Sequence, residues 1–79
     1  MNKKRRDKLG KAINLIKEAH EIIYIACEEE QDCLDNIPES LQDSVNFYKM
    51  EDAIDKMNEA MDKLDEVEEY VEIAKGQVR

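Results

Sequence analysis

The second half of the chain carries a seven-residue repeat, and this repeat limits the folds that the chain can adopt. Between Met50 and Val78, apolar side chains follow one another at alternating steps of three and four. Such spacing places them on one stripe of an α-helix that packs lengthwise against another helix. The stripe consists of Met50, Ala53, Met57, Ala60, Leu64, Val67, Val71, Ala74 and Val78.

The first half of the chain supplies a matching helix, with the same alternation. In heptad notation, larger residues occupy position a of both stripes and alanines recur at position d. Small side chains at d let two helix axes approach to the low end of the roughly 8–10 Å packing range. We therefore predict an all-α fold, an antiparallel two-helix hairpin that resembles a coiled coil. The first stripe consists of Leu9, Ala12, Ile16, Ala19, Ile23 and Ala26.

The chain is short enough to form a single domain. Its 79 residues include one Pro and two Gly, a composition rich in helix formers. We expect the domain to span residues 1–79 and Gly76 to stop the second helix. The predicted elements are helix 1 over about 4–34, an ordered loop with a short helical turn over 35–46, and helix 2 over about 47–75.

The connection between the helices contains clear turn signals. Pro38 suits the first turn of a short helical segment, which Asn36 can cap, and Ser44 or Asn46 can cap helix 2. The connection is longer than the usual two to eight residues, and long ordered loops often carry function. Four apolar residues are expected to fold back over the end of the hairpin, namely Ile37, Leu41, Val45 and Phe47.

Helix 1 has more apolar surface than one partner helix can cover. At 100° per residue, its apolar positions span about 200° of the circumference, whereas a hairpin covers about 100°. Leu15 and Ile22 flank the stripe, and Ile25 lies on the polar side. Small chains commonly gain stability by self-association. We therefore predict a homo-oligomeric bundle with helix 1 at its centre and Leu15, Ile22 and Ile25 in the oligomer interface.

The cysteines and the hydropathy indicate a cytoplasmic protein. Cys27 and Cys33 are six residues apart and point to different sides of a helix, so we interpret them as reduced thiols. The sequence contains no apolar run of membrane-spanning length and no signal-peptide core. We expect no membrane partner.

Charge is distributed unevenly along the chain. Residues 1–11 carry a net charge of +5 and the remaining residues a net charge of −13. A basic segment of this kind can contact nucleic acid or a membrane surface. In an antiparallel hairpin it also lies beside the acidic end of helix 2, which it can neutralise. The acidic residues there are Glu66, Glu68, Glu69 and Glu72.

Three segments carry a resemblance to a known family. Glu28–Gln31, Asp35–Ser44 and Lys49–Asp55 are similar to small proteins encoded in bacteriophages and prophages, mostly of low-GC Gram-positive hosts. The family combines a basic first helix, a Glu-rich stretch, an Asn-Leu/Ile-Pro-Glu-Ser-Leu/Ile-Gln loop and an acidic second helix. The resemblance covers nearly the whole chain and implies a phage accessory protein acting in the host cytoplasm. It implies no particular chemistry.

The residues show no arrangement typical of an enzyme. His20 is the only histidine, and no nucleophile accompanies it in a recognisable pattern, so we interpret it as a packed or interface residue. The spacing of His20, Cys27 and Cys33 matches no zinc motif, and motifs for paired carboxylate-bound metals or calcium are absent. We therefore expect no catalytic residue, no metal and no cofactor.

The loop end is the best candidate for a polar binding site. Glu30 falls on an a position of helix 1, where the stripe calls for an apolar residue. Polar residues of the connection follow it closely in the sequence. The predicted binding residues are Glu30, Asn36, Glu39, Ser40 and Gln42.

These observations favour a non-enzymatic binding protein that acts, as a homo-oligomer, by stoichiometric interaction with a host protein. A component of host defence is one candidate partner. As an alternative, the acidic faces imitate nucleic acid and block a DNA- or RNA-binding protein. A further alternative is sequestration of a small ligand by the oligomer. Direct nucleic-acid binding rests on one short basic run, residues 3–8.

Overall fold

The computed structural model describes residues 2–79, which form two long helices joined by a loop. Helix α1 spans Lys3–Asp35, a 3-10 turn spans Glu39–Leu41, and helix α2 spans Val45–Gln77. The helices pack lengthwise on each other, and the chain forms a rod with extents of 63, 15 and 12 Å. The predicted helical hairpin is therefore confirmed.

Side-chain contacts between α1 and α2 establish that the helices are antiparallel. Residues early in α1 meet residues late in α2, and residues near the end of α1 meet residues near the start of α2. Two hydrogen bonds to backbone carbonyls join the chain ends, and two contacts lie farther toward the loop. The four contacts are Asn2 with Val78, Arg5 with Arg79, His20 with Asp65, and Cys27 with Asn58.

The most buried residues of the hairpin lie beside the a/d stripe, at position e. At position d, Ala26 and Val67 are exposed, and the other alanines of the two stripes are half-buried. The deepest side chains all stand at position e, next to the a residues. Isoleucine and methionine at e remove more apolar area from water than alanine at d, so this rotation of the helices is favourable. The buried residues are Ile13, Cys27, Ile54 and Met61.

The loop follows the predicted turn, although one residue takes a different role. Ser44 caps α2 as predicted, because its Oγ accepts a hydrogen bond of 3.1 Å from the Phe47 N–H. The prediction that Asn36 caps the turn is wrong. Asn36 instead ends α1, where its Nδ2 donates to the Asp32 carbonyl oxygen at 2.9 Å. Pro38 takes the position before the 3-10 turn.

Helix α2 is two residues longer at each end than its predicted span of 47–75. It begins at Val45, directly after the Ser44 cap, and continues through Gly76 to Gln77. A glycine ends a helix when it adopts a left-handed backbone, and Gly76 has no positive φ. The prediction that Gly76 stops the helix is therefore wrong. Val78, with an extended backbone, ends it instead.

Both cysteines are free thiols, but their surroundings differ. Cys27 is buried between the helices, where its Sγ lies 3.9 Å from Asn58 Oδ1. Cys33 is exposed on α1. Their redox state stays a prediction.

Candidate functional site

A second strip of α1 lies beside the strip that packs on α2; its side chains are exposed except for Ala12 and Ala19, which are half-buried. Its side chains follow one another at alternating steps of four and three, the spacing of a helix-packing seam. Leu15 is 55% exposed and Ile22 is 61% exposed, so more than half of the surface of each of these two large apolar residues faces solvent. We define the outer strip as positions d and g of α1, namely Lys8, Ala12, Leu15, Ala19, Ile22, Ala26, Glu29 and Cys33.

Ile25 is also exposed, but it lies at the edge of this surface. It follows Ile22 by three residues, which turns its side chain about 60° around the helix away from Ile22. All three residues predicted for an oligomer interface are thus accessible. The interface itself stays a prediction.

A hollow of about 250 Å³ lies on the outer strip near the loop end of α1. It is lined by Ala26, Glu29, Glu30 and Cys33, which stand at positions i, i+3, i+4 and i+7. In coiled-coil packing, four residues at these positions form the hole that receives one side chain of the facing helix. The small side chains of Ala26 and Cys33 leave this hole open, and two carboxylates border it.

The predicted polar binding residues lie in separate local environments. Glu30 is half-buried beside the hollow, whereas Asn36 caps the end of α1. Glu39 and Ser40 are exposed in the 3-10 turn, and Gln42 follows that turn. Glu30 precedes Asn36 by six residues, or about 9 Å along the helix axis. Joint binding of one ligand by these five residues stays a prediction.

Apolar side chains at the loop end are less covered than predicted. Ile37 and Phe47 are half-buried, as expected for residues that fold back over the hairpin. For the other two residues the prediction is wrong, because Leu41 is 54% exposed and Val45 is 69% exposed. Both therefore add to the surface of the rod's end.

The exposure of these residues follows from the offset between the helices. Leu34, in the last turn of α1, lines a shared groove with Glu51 and Ile54 of α2. The first turn of α2 therefore extends past the end of α1 and has no helix to pack against. Tyr48 in that turn is also exposed, and its hydroxyl donates to Asp43 Oδ1 at 3.3 Å. We define the loop-end patch as Leu41, Val45 and Tyr48.

His20 has a carboxylate neighbour that the sequence did not reveal. Its Nε2 lies 3.3 Å from Oδ1 of Asp65 on α2. Finding this pair requires the register between the helices, which the heptad pattern alone leaves open. Cys27 lies seven residues farther along α1, or about 10 Å, and contacts Asn58 instead. Within residues 2–79, no three His, Cys, Asp or Glu side chains are grouped so that they could hold a metal ion.

Residues 2–11 of the basic segment lie beside α2 without direct ion pairs to its acidic end. In the part of the chain that the structure describes, Lys56 forms an ion pair with Asp52, and His20 contacts Asp65. The basic segment instead borders an open groove of about 520 Å³ around Gly10. The charged residues along this groove are of both signs, namely Arg6, Asp7, Lys11, Lys17, Glu72 and Lys75.

Comparisons with known proteins add no functional assignment. No family model, no curated protein and no solved structure matches the chain. Neither α1 nor α2 contains a stretch long and apolar enough to cross a membrane. The fold and its exposed surfaces define an extended helical hairpin with apolar side chains left in solvent, and the functional argument rests on those surfaces.

Proposed function

We propose that this chain is a non-enzymatic, phage-encoded protein that acts in the host cytoplasm by stoichiometric binding to a host protein, as a homo-oligomer. The observation that carries the proposal is the exposure of large apolar side chains, among them those of the outer strip and of the loop-end patch. Contiguous apolar surface in solvent is typical of sites where proteins interact. The phage origin is supported by the loop sequence.

The outer strip supports the homo-oligomer. A hairpin of two helices buries few side chains, and the four most buried residues here form a narrow core. Chains of this size commonly need an additional source of stability. Burial of Leu15 and Ile22 against another copy supplies that apolar contact, at about 1.5–3 kcal/mol for each fully buried side chain.

The loop-end patch supports recognition of a separate host protein. It lies at one end of the rod, where the first turn of α2 extends past α1, so a partner can approach without displacing either helix. Leu41, Val45 and Tyr48 are bordered in the sequence by polar Glu39, Ser40 and Gln42. An apolar centre with a polar rim is the usual composition of a protein interface. The host protein is proposed to bind here.

A nucleic-acid mimic is the second candidate function. Carboxylates of α2 are exposed along most of its length, and in residues 2–79 only Asp52 and Asp65 of α2 contact a lysine or histidine side chain. Unpaired carboxylates on a rod can attract the basic surface of a DNA- or RNA-binding protein. Under this proposal, the target is displaced from nucleic acid.

Two measurements test the proposal. Light scattering at micromolar concentration is expected to give a mass above that of one chain, and a monomer would contradict the homo-oligomer. Affinity capture from a Gram-positive host lysate, followed by titration calorimetry with the purified partner, is expected to give a fixed stoichiometry. Failure to find a stoichiometric protein partner contradicts the binding function.

Matched variants separate the two candidates. Tyr48→Ser is expected to weaken partner binding at least tenfold, whereas Tyr70→Ser, which changes another exposed tyrosine of α2, is expected to have little effect. Triple replacement of Glu39, Ser40 and Gln42 by alanine tests the polar rim. If these variants bind normally and reversal of α2 carboxylates abolishes binding, the mimic is the correct function.

A further inference from the structure

The outer strip is complementary in charge to a reversed copy of itself. Its N-terminal end carries Lys8, and its C-terminal end carries Glu29. The same polarity holds for α1 as a whole, which begins with a basic segment and ends with a run of acidic residues. Parallel pairing of two outer strips would place like charges together at both ends. Antiparallel pairing places opposite charges together at both ends.

The hollow on the outer strip fits a lysine side chain. It has the four-residue arrangement of a coiled-coil hole, and its border combines two small side chains with the carboxylates of Glu29 and Glu30. Lysine combines a long apolar stem with a cationic end. Lys8 is the residue of the outer strip with this chemistry, and it is exposed.

One register satisfies these requirements together. Ala19 is the middle residue of α1, which spans Lys3–Asp35, so a twofold axis near Ala19 gives full overlap of two α1 helices. The same axis places Lys8 against the hollow of the second copy. It also places Leu15 against Ile22 of the second copy, so that both exposed side chains enter apolar surroundings.

The position of the outer strip on α1 is compatible with this pairing. The a and e residues face α2, and the d and g residues lie about 120° around the helix from them. In a bundle, one helix can therefore contact α2 of its own chain and α1 of the second copy. An isologous contact of this kind closes after two copies.

We infer that the outer strip binds the outer strip of a second copy, antiparallel and about a twofold axis near Ala19, to form a four-helix bundle with α1 at its centre. Lys8 enters the hollow between Glu29 and Glu30 of the second copy. This inference rests on the homo-oligomer in the proposed function and gives it an orientation and a register. The two loop-end patches then lie at opposite ends of the dimer.

Disulfide cross-linking tests the orientation. Parallel pairing would bring the two Cys33 thiols together, whereas the inferred pairing separates them by about 40 Å along the axis. Oxidation of the unaltered protein is therefore expected to give no linked dimer. Ala19→Cys in a Cys33→Ser background is expected to cross-link readily. Ala26→Cys in the same background is the matched control, because residue 26 lies about two helical turns from the axis, and it is expected not to cross-link.

The outcomes distinguish the inference from the proposal on which it rests. A monomer by light scattering contradicts both. A dimer that cross-links through Cys33, or one in which Ala26→Cys links as well as Ala19→Cys, overturns the inferred pairing and leaves the homo-oligomer standing. A dimer in which Ala19→Cys fails to link overturns the register.

Charge exchange tests the contact between Lys8 and the hollow. Lys8→Glu and Glu29→Lys are each expected to raise the Kd of the dimer by roughly three- to tenfold, since each contact occurs twice in the dimer. The double variant, which carries both exchanges, is expected to recover most of the lost dimer affinity. Lys63→Glu with Glu59→Lys, an exchange between exposed residues of α2, is the matched control. Failure of the double variant to recover overturns the contact.

Discussion

His20 of α1 and Asp65 of α2 meet across the middle of the hairpin, with 3.3 Å between Nε2 and Oδ1. The contact lies between the core residues Ile13 and Cys27 in the sequence of α1. It therefore adds a polar link to a seam that is otherwise mainly apolar. Because both side chains are partly exposed, solvent screens the interaction.

The free energy of unfolding is expected to depend only weakly on this pair. In a double-mutant cycle of His20→Ala and Asp65→Ala, we expect a coupling energy of at most about 1 kcal/mol. Urea unfolding followed by circular dichroism measures it. The exposed i,i+4 pair of Lys56 and Asp52 is the comparison, with an expected coupling of about 0.3–0.5 kcal/mol. A coupling energy above about 2 kcal/mol between His20 and Asp65 would contradict the expectation that solvent screens this interaction.

Two isoleucines of α2 are expected to differ strongly in their contribution to stability. Ile54 is 7% exposed and Ile73 is 50% exposed. Ile54→Ala is expected to lower the free energy of unfolding by about 2–4 kcal/mol, because it removes core contacts and leaves a cavity. Ile73→Ala is expected to change it by no more than about 0.5 kcal/mol. Equal effects in urea unfolding would contradict a core centred on position e.

Loss of the Ser44 hydroxyl is expected to weaken the start of α2. Ser44→Ala removes the acceptor of the Phe47 N–H and is expected to cost about 1 kcal/mol in the free energy of unfolding. Ser40→Ala, in the 3-10 turn, is the matched control and is expected to change stability by less than about 0.5 kcal/mol. Amide hydrogen exchange in the first turn of α2 is expected to become faster in Ser44→Ala. An unchanged exchange rate would contradict the stabilising role of the Ser44 cap.

Replacement of Gly10 by alanine is expected to stabilise the hairpin. Gly10 lies inside α1, where alanine is favoured over glycine by about 0.8–1 kcal/mol. A Cβ at this position would lie 3.4 Å from Nζ of Lys75, the mobile end of a flexible side chain that can shift aside. Gly76→Ala, in the last turn of α2, is expected to gain less. Thermal unfolding compares the two variants. A lower melting temperature for Gly10→Ala would contradict the prediction and would show that Lys75 cannot move aside.

The helices and their connection could be predicted because local patterns specify them. Heptad spacing places each helix, Pro38 and Ser44 mark the turn and the start of α2, and each signal acts within a few residues. The end of α2 could not be predicted from Gly76, because glycine also adopts helical backbone when the helix gains by continuing. The free energies of ending a helix one or two residues earlier or later differ little, so the position of the last helical residue is hard to predict.

The rotation of the helices about their axes could not be predicted from spacing alone. Positions d and e both lie next to position a, and the pattern of steps does not say which of them a neighbouring helix will cover. Burial of Ile13 and Ile54 at position e removes more apolar area from water than burial of the alanines at position d, and this difference favours the observed rotation. The same rotation leaves Leu15 and Ile22 in solvent, in agreement with the expectation of a second apolar surface on α1.

The loop-end patch and the His20–Asp65 pair depend on the register between α1 and α2. A shift of a few residues would cover the first turn of α2 or separate the histidine from its carboxylate. The sequence contains both partners of each contact, but no local signal relates them. The residues expected to form a polar site were chosen by proximity in the sequence, which does not ensure proximity in space across a helix end.

The hydrogen bonds from Asn2 and Arg5 to the carbonyls of Val78 and Arg79 have a practical consequence. They hold both ends of the described chain side by side at one end of a 63 Å rod. An affinity tag or a surface tether fused at either terminus therefore emerges far from the 3-10 turn. In a single chain immobilised by a terminus, the 3-10 turn would therefore point away from the support and stay accessible to binding partners in solution.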